Sequence, residues 1–396
     1  MVEGPPGGRP ENPPANSLSG AMRKLSLLFL DFQIPYLLKD AEYPVGGASV
    51  RQLALARGLS SLGHRVGIIT WKGARRYVGE DQSFEFVESY APDAGPRKLR
   101  FFFYRYPSLL RAAKAYGPDF IFQKCFGAET ATIWTIARLF KVPFIYMAGN
   151  DIDADGGYRQ RLGRLESAAY EYALRNAAGV IAQNEYQLRG FRKWLKGKSI
   201  AVVHNPVSFD GDSLLRIRTR GERGYIAWLG IFQPQKNLAA LLEIAKRTPE
   251  VEFRVGGMLQ TGSGQALRDL VGKLYSLPNV RMAGYLRRRE ILPFLAKALA
   301  LLNTSYYEGF SNTFLEAWLA GTPVITRSID PDGVIAGNGI GSVAGSYDEV
   351  PGIIRSLMNE DGYDALAEKC RAYVLENHDE RVIAERFIAA LPRKGL

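Results

Sequence analysis

The chain has 396 residues, with a hydrophobic content of 46% and a charged content of 23%. These values are ordinary for a soluble globular protein and predict two or more domains. No apolar run reaches the roughly 18 residues of a membrane-spanning helix, and Cys125 and Cys370 have no metal-binding or disulfide spacing. The composition therefore excludes an integral membrane protein and a disulfide scaffold, and it fits a reducing, cytoplasmic location.

The first segment of the chain differs in composition from the rest. Residues 1–21 are rich in proline, glycine and polar residues, which predicts a flexible tail. Residues 22–38 begin with basic residues, but Asp31 interrupts their apolar part and no small-residue cleavage pattern follows. We therefore interpret this segment as a first β-strand and not as a signal peptide.

After the tail, strand patterns alternate with helix patterns. The first series has predicted strands at 24–32, 64–70, 119–124, 142–148 and 179–185, with helices at 50–63, 131–141 and 158–177. The second series has strands at 224–230, 251–257, 280–286, 298–305 and 323–327, with helices at 239–248, 264–278, 289–298 and 311–320. Two successive βαβ series predict an α/β protein of two doubly wound, Rossmann-like domains. Turn residues cluster at 202–212, so we place the domains at 22–205 and 206–375.

A glycine pair follows the first predicted strand. Gly46 and Gly47 precede the first long helix, and glycines without a side chain let the backbone approach a ligand closely. The free N–H groups of a helix start favour an anion. Paired glycines are common in loops, so this signal predicts a ligand site only together with a second helix start in the other domain.

The stretch YYEGFSNTFLEAWLAGTPVITRS, residues 306–328, predicts that second helix start. Ser311 is a candidate N-cap, and Gly321 and Pro323 end the helix. Glu308 lies on the loop before the helix and Glu316 lies inside it. Carboxylates are poor ligands for phosphate but good acceptors for sugar hydroxyls, so the stretch suggests a ligand with phosphate and polyol parts. The alternative is a capped surface helix with two solvated acids.

Residues 150–157, NDIDADGG, resemble the start of a calcium loop. The twelfth position is Leu162, where a bidentate glutamate is required, so we reject a calcium site. The D-x-D pattern also occurs as a metal motif in enzymes of a different fold, but the double βαβ pattern argues against that fold. We predict a polar loop that lines a ligand cleft.

Two basic clusters lie in the first predicted domain. Residues 97–116 interleave arginine and lysine with phenylalanine and tyrosine, and residues 189–198 add a second cluster to a net charge of +11. Such segments dock on anionic lipid headgroups or bind an anionic glycan, and an ordinary solvated face is the alternative. No recognition motif accompanies the charge, so we do not expect nucleic acid binding.

From about residue 24 to about residue 390, the chain resembles the GT-B glycosyltransferases of the large retaining group called family 4. Glu308 to Glu316 match the E-x7-E element of the family, and residues 43–70 match its N-terminal Gly-Gly loop, helix and Gly-His turn. WLGIFQPQKN at 228–237 matches its phosphate-binding element, and 330–341 occupies the place of its later glycine-containing loop. The resemblance implies two domains that face a central cleft, with the C-terminal helix at 376–396 rejoining the first.

The resemblance also implies roles for individual residues. Glu316 would accept hydrogen bonds from the ribose of a nucleotide sugar, and Glu308 would contact the transferred sugar. Lys236 would bind the diphosphate, with Glu308 and Lys236 as the catalytic pair. The donor would further contact the backbone of Gly46, Gly47, Gly257, Tyr285, Gly309, Phe310 and Ser311. No metal and no other cofactor is then required, because lysine and helix starts stabilise the leaving group.

Two departures from the family pattern bear on catalysis. An arginine usually follows the glycine that corresponds to Gly230, but this chain has Ile231. A histidine often ends the strand that is here PFIYMAGND, and no histidine lies there. Asn150 or Asp151 would take over contacts with the sugar.

Two functional hypotheses follow from the sequence. The first is a retaining glycosyltransferase that moves a sugar from a nucleotide-diphosphate donor to a glycan or lipid-linked acceptor, with peripheral contact to an anionic inner membrane face. The second is a catalytically weak sugar-nucleotide-binding protein or partner subunit. The base, the sugar and the acceptor do not follow from the sequence.

Overall fold

The computed structural model describes residues 23–39, 45–79, 83–209, 216–260, 262–359 and 361–392. The predicted tail at 1–21 lies outside the described residues, as do parts of the junction at 202–212 and of the C-terminal segment at 376–396. Within the described residues, two parallel sheets of seven and six strands form the framework.

The first sheet has the strand order β3-β2-β1-β4-β5-β6-β7. Its strands are β1 Ser26–Leu30, β2 Arg65–Thr70, β3 Glu85–Glu88, β4 Phe120–Lys124, β5 Phe144–Met147, β6 Gly179–Ala182 and β7 Ile200–Val202. The associated helices are α1 Ile34–Leu38, α2 Gly47–Ser61, α3 Tyr106–Tyr116, α4 Ala128–Phe140, α5 Ile152–Asp155, α6 Arg164–Arg175 and α7 Glu185–Trp194. The central strands β1, β4, β5 and β6 are almost entirely buried, as expected for parallel strands between helices.

The second sheet has the strand order β10-β9-β8-β11-β12-β13. Its strands are β8 Tyr225–Leu229, β9 Phe253–Gly256, β10 Val280–Gly284, β11 Ala298–Asn303, β12 Val324–Thr326 and β13 Gly341–Val343. Its helices are α8 Leu238–Arg247, α9 Gln265–Tyr275, α10 Arg288–Ala296, α11 Asn312–Leu319, α12 Val334–Asn338, α13 Val350–Met358 and α14 Tyr363–Asn377. The prediction of an α/β protein with two doubly wound sheets is confirmed.

The last described helix, α15 Glu380–Ala389, returns to the first sheet. Ile383, Ala384 and Phe387 belong to the same buried cluster as β1 and β4, and the rings of Phe387 and Phe122 are 5.2 Å apart. A side chain at Gly58 of α2 would stand 2.1 Å from the carbonyl oxygen of Glu380. The absence of a side chain at Gly58 therefore allows α15 to pack against α2.

Two local predictions were wrong. The helix expected over 158–177 is a short 3-10 turn at Gly157–Gln160 followed by α6, because Gly163 adopts an extended conformation as the N-cap of α6. The loop expected at 150–157 contains the helical turn α5. Asp153 in this turn is buried and accepts hydrogen bonds from the Tyr146 hydroxyl at 2.7 Å and the Gly149 N–H at 2.8 Å. Asp153 thus anchors α5 on β5, whereas Asn150 at the start of the segment lines the cleft between the two sheets.

Each sheet reverses its strand order at one point, between β1 and β4 in the first and between β8 and β11 in the second. Ligands of open α/β sheets bind outside the carboxyl ends of the strands at such a reversal. The loop after β1 leads to Gly46 and Gly47, and the loop after β11 leads to Glu308 and α11. Each predicted ligand loop therefore lies at the expected edge of its own sheet, and a hydrogen bond from the Asn312 side chain to the Gly47 carbonyl joins the two loops.

Candidate active site

A cleft of about 370 Å³ lies between the two sheets and is lined by residues from both. This volume is in the range of small-molecule sites. Among the residues predicted for the site, the cleft is lined by Gly46, Gly47, Asn150, Lys236, Gly257, Tyr285, Glu308, Gly309, Phe310, Ser311 and Glu316. Of the two predicted sugar-face candidates, Asn150 lines the cleft and Asp151 does not.

Asp151 is held by side chains at the start of α7. Its carboxylate accepts hydrogen bonds from the side-chain amides of Asn184 at 3.1 Å and Gln187 at 3.0 Å. Burial raises the pKa of Asp151 to about 6, although these two hydrogen bonds act in the opposite direction. These contacts give Asp151 a role in joining α5 to α7.

Lys236 and Glu308 form an ion pair in the cleft. Lys236 ends the short 3-10 turn Pro234–Lys236 after β8, and the hydroxyl of Thr304 at the end of β11 donates to its carbonyl oxygen at 2.7 Å. Glu308 also accepts a hydrogen bond from the Ser305 hydroxyl at 2.7 Å. A cation and a hydroxyl acceptor therefore stand side by side, held by the ends of two neighbouring strands.

Glu316 is only 4% exposed and forms an ion pair with Arg288, the first residue of α10. The apolar face of α11 packs into the core through Phe314, Leu315 and Trp318, and this packing turns Glu316 toward the cleft. Sequence reasoning did not identify Arg288. The run of three arginines at 287–289 was a sequence signal that could have pointed to Arg288. The run does not reveal which of the three side chains contacts Glu316.

The start of α11 faces the other domain directly. Ser311 is the N-cap, as predicted, but its hydroxyl lies 2.9 Å from the Thr313 hydroxyl and makes no capping hydrogen bond to the backbone. The Phe310 N–H donates to the side-chain oxygen of Gln183 at 3.0 Å. One of the N–H groups expected to orient a ligand is therefore occupied by the N-terminal domain.

Two asparagines complete the contact between the domains. Asn312 donates from its side-chain amide to the Gly47 carbonyl at 2.6 Å. Asn205 donates to the Phe310 carbonyl at 2.6 Å and to the side-chain oxygen of Asn312 at 3.1 Å. The Gly-Gly loop and the start of α11 are thereby fixed to each other at one end of the cleft.

The opposite end of the cleft is formed by strand ends of the second domain. The Gly257 N–H donates to the Gly284 carbonyl at 2.7 Å, and a side chain at Gly257 would stand 2.0 Å from the Gly230 carbonyl oxygen. Gly257 therefore allows the ends of β8, β9 and β10 to converge beside Tyr285.

A second arginine that sequence reasoning missed lies in the first domain. Arg51 of α2 lines the cleft one turn after Gly47 and is 5% exposed. The cleft thus holds three cationic side chains, Lys236, Arg288 and Arg51, although Ile231 occupies the place of the family's arginine. Such a cluster favours a ligand with more than one negative charge.

The described residues contain neither a metal-ligand cluster nor a membrane-spanning helix. Within the described residues, no three His, Cys, Asp or Glu side chains group closely enough to hold a metal ion. Over the same residues, every helix is too short or too polar to cross a bilayer.

The basic segment at 97–116 begins with an exposed apolar turn. Leu99, Phe102 and Phe103 are 61%, 65% and 71% exposed, and the segment Phe101–Arg105 forms a π-helical turn before α3. The hydroxyls of Tyr104 and Tyr106 are instead hydrogen-bonded within the domain. The aromatic residues of this segment therefore divide into an exposed group and a half-buried group, and Tyr116 at its end is buried.

Comparisons with known proteins agree with this geometry. Residues 45–210 match Glycosyltransferase Family 4, and residues 223–374 match Glycosyl transferases group 1. Among curated proteins, the chain is 25% identical over 150 residues to O-antigen chain mannosyltransferase B of Escherichia coli and 28% identical over 169 residues to glycogen synthase of Mycobacterium tuberculosis. These alignments cover 37% and 41% of this chain and only 39% and 40% of the relatives.

Solved structures match over nearly the whole chain. HepE of Anabaena, solved with UDP-glucose, has a TM-score of 0.70 at 17% identity, covering 93% of this chain and 99% of that one. Sucrose-phosphate synthase of Thermosynechococcus elongatus has a TM-score of 0.69 at 16% identity, covering 93% and 98%. The fold is therefore GT-B, and the chain belongs to the family 4, group 1 glycosyltransferases.

Proposed function

We propose that this protein is a retaining, metal-independent glycosyltransferase that moves a sugar from a nucleotide-diphosphate donor to a glycan or lipid-linked acceptor. The observation that carries the proposal is the pairing of Lys236 with Glu308 and of Arg288 with Glu316 in one cleft between the domains. Each pair combines a cation for phosphate with an acceptor for hydroxyls. This combination matches a ligand in which phosphates lie between two polyols.

In the proposed binding mode, each part of the donor contacts a different group of the cleft. The base lies against the convergent strand ends at Gly257 and Tyr285, and Glu316 accepts from the ribose. The diphosphate lies at Lys236 and the start of α11, and Glu308 accepts from the transferred sugar. The UDP-glucose in the HepE structure supports a donor of this class.

The reaction requires the bond between the sugar C1 and the phosphate oxygen to break. The electron pair remains on the departing diphosphate, where Lys236 and the helix start stabilise it. The acceptor oxygen bonds to C1 on the same face of the sugar, and its proton passes to the departing phosphate oxygen. No side chain of the protein forms a covalent intermediate in this scheme.

A catalytically weak binding protein is the second candidate. Ile231 and the absence of a histidine at Asn150 favour it, because both changes remove groups that would contact the donor. Arg288 and Arg51 favour the enzyme, since each brings a guanidinium to the cleft from another element. The enzyme is therefore the better supported of the two.

The exposed turn at 99–103 supports a lipid-linked acceptor on the inner, cytoplasmic face of a membrane. Leu99, Phe102 and Phe103 are exposed and follow the exposed basic residues Arg97 and Lys98. Basic residues attract anionic headgroups, and exposed aromatic rings insert at the interface. The turn belongs to the N-terminal domain, which would receive the acceptor.

The test is a thermal-shift screen of nucleotide sugars, followed by measurement of released nucleoside diphosphate. A bound donor raises the melting temperature by mass action. The transferase is supported if donors of one chemical class stabilise the protein and are slowly hydrolysed, and if an acceptor accelerates the release of nucleoside diphosphate. Stabilisation without turnover on any acceptor points to the binding protein, and a protein that no sugar nucleotide stabilises would contradict both.

A further inference from the structure

A second cavity, of about 420 Å³, has walls from both domains. Tyr307 comes from the C-terminal domain, and the other lining residues come from the segment around α5 in the N-terminal domain. The lining consists of Ile152, Asp155, Gly156, Gly157, Gln160, Arg161 and Tyr307. The donor contacts proposed above do not involve this cavity.

The second cavity and the cleft share two chain segments. Asn150 lines the cleft and Ile152 lines the second cavity, while Glu308 lines the cleft and Tyr307 lines the second cavity. Consecutive Cα atoms are only about 3.8 Å apart. The second cavity is therefore a neighbour of the cleft at the end where Glu308 lies.

The electrostatics of Asp151 support this proximity. Asp151 stands between Asn150 and Ile152 in the chain. Burial raises the pKa of Asp151, and the negative charges of Asp155 and Glu308 raise it further. An acid of the second cavity and an acid of the cleft therefore both act on the same side chain.

The turn that forms the wall of the second cavity is held in place. Gly156 has a φ of 94°, a conformation that favours glycine. A side chain at Gly157 would stand 2.9 Å from the Cβ of Ile152, so the chain folds tightly back on α5. The Tyr158 ring is buried, and its hydroxyl donates to Glu171 at 2.8 Å. The neighbouring polar residues thus project from an anchored turn.

The polar groups of the second cavity include both donors and acceptors. The Asp155 carboxylate accepts from the Gly157 N–H at 2.9 Å and from the Tyr186 hydroxyl at 3.0 Å. Arg161 is exposed and donates from Nη2 to the Tyr307 hydroxyl at 3.2 Å, which joins the two domains across the cavity. Each carboxylate oxygen and the guanidinium therefore keep further hydrogen-bonding capacity.

This combination of charges favours a neutral ligand that is rich in hydroxyl groups. A hydroxyl can donate to a carboxylate and accept from a guanidinium, so a polyol satisfies both. A phosphate or a uronate would meet the negative charge of Asp155, with Asp151 and Glu308 nearby. A cationic ligand would meet the guanidinium of Arg161.

Resting on the proposed function, we propose that the second cavity binds a neutral sugar unit of the acceptor. Asp155 accepts hydrogen bonds from the hydroxyls of this sugar, and Arg161 and Gln160 donate to them. The neighbouring position of Glu308 brings this sugar beside the transferred one. Because the cavity has walls from both domains, the bound sugar contacts both.

The experiment measures the binding of methyl glycosides by saturation-transfer NMR titration. The probes are the methyl α-glycosides of glucose, mannose and galactose, each paired with the glycoside of its uronic acid. The proteins are the wild type, Arg161→Gln and Asp155→Asn. Arg164→Gln is the matched control, because Arg164 is an exposed arginine three residues after Arg161 that does not line the cavity.

We expect the wild type and the control to bind at least one neutral glycoside, and to prefer it over its uronate by roughly fivefold. Arg161→Gln should bind the neutral glycoside roughly tenfold more weakly. Asp155→Asn should narrow the preference for the neutral member of the pair, since the repelling charge is gone and Arg161 remains. A purely structural role of Asp155 would not change this ratio.

Three results would overturn the assignment of the second cavity. They are absence of binding of every neutral glycoside to the wild type, a wild-type preference for the uronates, and equal affinities and ratios in all four proteins. Stabilisation by sugar nucleotides is measured in the same proteins and should be unchanged by these substitutions. A protein that binds the glycosides but no sugar nucleotide would refute the proposed function alone, so the two proposals fail separately.

Discussion

Lys236 and Glu308 neutralise each other inside the cleft, where their side chains are only 14% and 12% exposed. Removing one partner of a buried pair leaves the other charge uncompensated, which typically costs about 3–5 kcal/mol of stability. A ligand with negative charge can supply the missing compensation for Lys236. The pair therefore links the stability of the free protein to its affinity for a diphosphate.

The two members of this pair should respond in opposite directions. Glu308→Gln is expected to bind free nucleoside diphosphate more tightly than the wild type, because Lys236 is no longer neutralised, while its turnover falls. Lys236→Ala should bind the diphosphate roughly tenfold to a hundredfold more weakly. Calorimetric titration with the diphosphate and steady-state rates measure both effects, and weaker binding in Glu308→Gln would contradict the assignment.

Replacement of Glu316 should weaken the binding only of ligands that carry a ribose. Glu316→Ala removes the proposed ribose acceptor and leaves Arg288 without its partner. We expect weaker binding of nucleoside diphosphate but unchanged or tighter binding of inorganic diphosphate, which has no ribose. Competition binding with the two ligands gives the comparison. An equal loss of affinity for nucleoside diphosphate and for inorganic diphosphate would place Glu316 at the phosphates.

Catalysis should not depend on a divalent ion. Lys236, Arg288 and the start of α11 supply positive charge at the proposed diphosphate site. Turnover is therefore expected to persist after EDTA treatment and to remain unchanged when manganese is added. The measurement is the rate of nucleoside diphosphate release. Loss of activity with chelator and its recovery with manganese would show that an ion takes part.

Membrane attachment should need both charge and exposed rings. Charge reversal of Arg97 and Lys98, or replacement of Phe102 and Phe103 by serine, should reduce flotation with phosphatidylglycerol vesicles. Each basic residue near the surface contributes about 1 kcal/mol at low salt. Reversal of Arg192 and Lys193 tests whether the second cluster takes part. A wild-type protein that does not float with these vesicles would refute attachment.

His378 should make the protein sensitive to acid. The ring is fully buried, contacts the Asn205 carbonyl at 2.8 Å, and burial lowers its pKa to about 3. The unfolded chain protonates this histidine near pH 6.5, so stability is full above that pH and falls as the pH drops toward 3. At pH 5 the loss is about 2 kcal/mol.

The matched variant for this prediction is His378→Asn, whose amide can still donate to the Asn205 carbonyl but does not titrate. Thermal unfolding between pH 7.5 and pH 5 should show a smaller decrease for the variant than for the wild type. Equal slopes in the two proteins would mean that other groups cause the acid sensitivity.

The pattern of residue types along the chain predicted the strands and helices around the cleft. It also indicated which residues to test as ligand contacts. Apolar periodicity predicted two βαβ series, and the eight-residue spacing of Glu308 and Glu316 predicted one acid before a helix and one inside it. Ser311 and Gly321 lie at the two ends of that helix, as expected. These features depend on neighbouring residues, whose spacing along the chain is also their spacing in the structure.

Only the tertiary structure decided which side chains meet. The packing of the two domains places Gly47 beside Asn312 although 265 residues separate them. Packing within each domain brings Arg288 to Glu316 and Arg51 to Asn205. The burial of Asp153 likewise depends on Tyr146 and on the packing of α5 against β5. Such pairings follow from how sheets and helices pack, and residue type and periodicity do not encode the partner of a polar side chain.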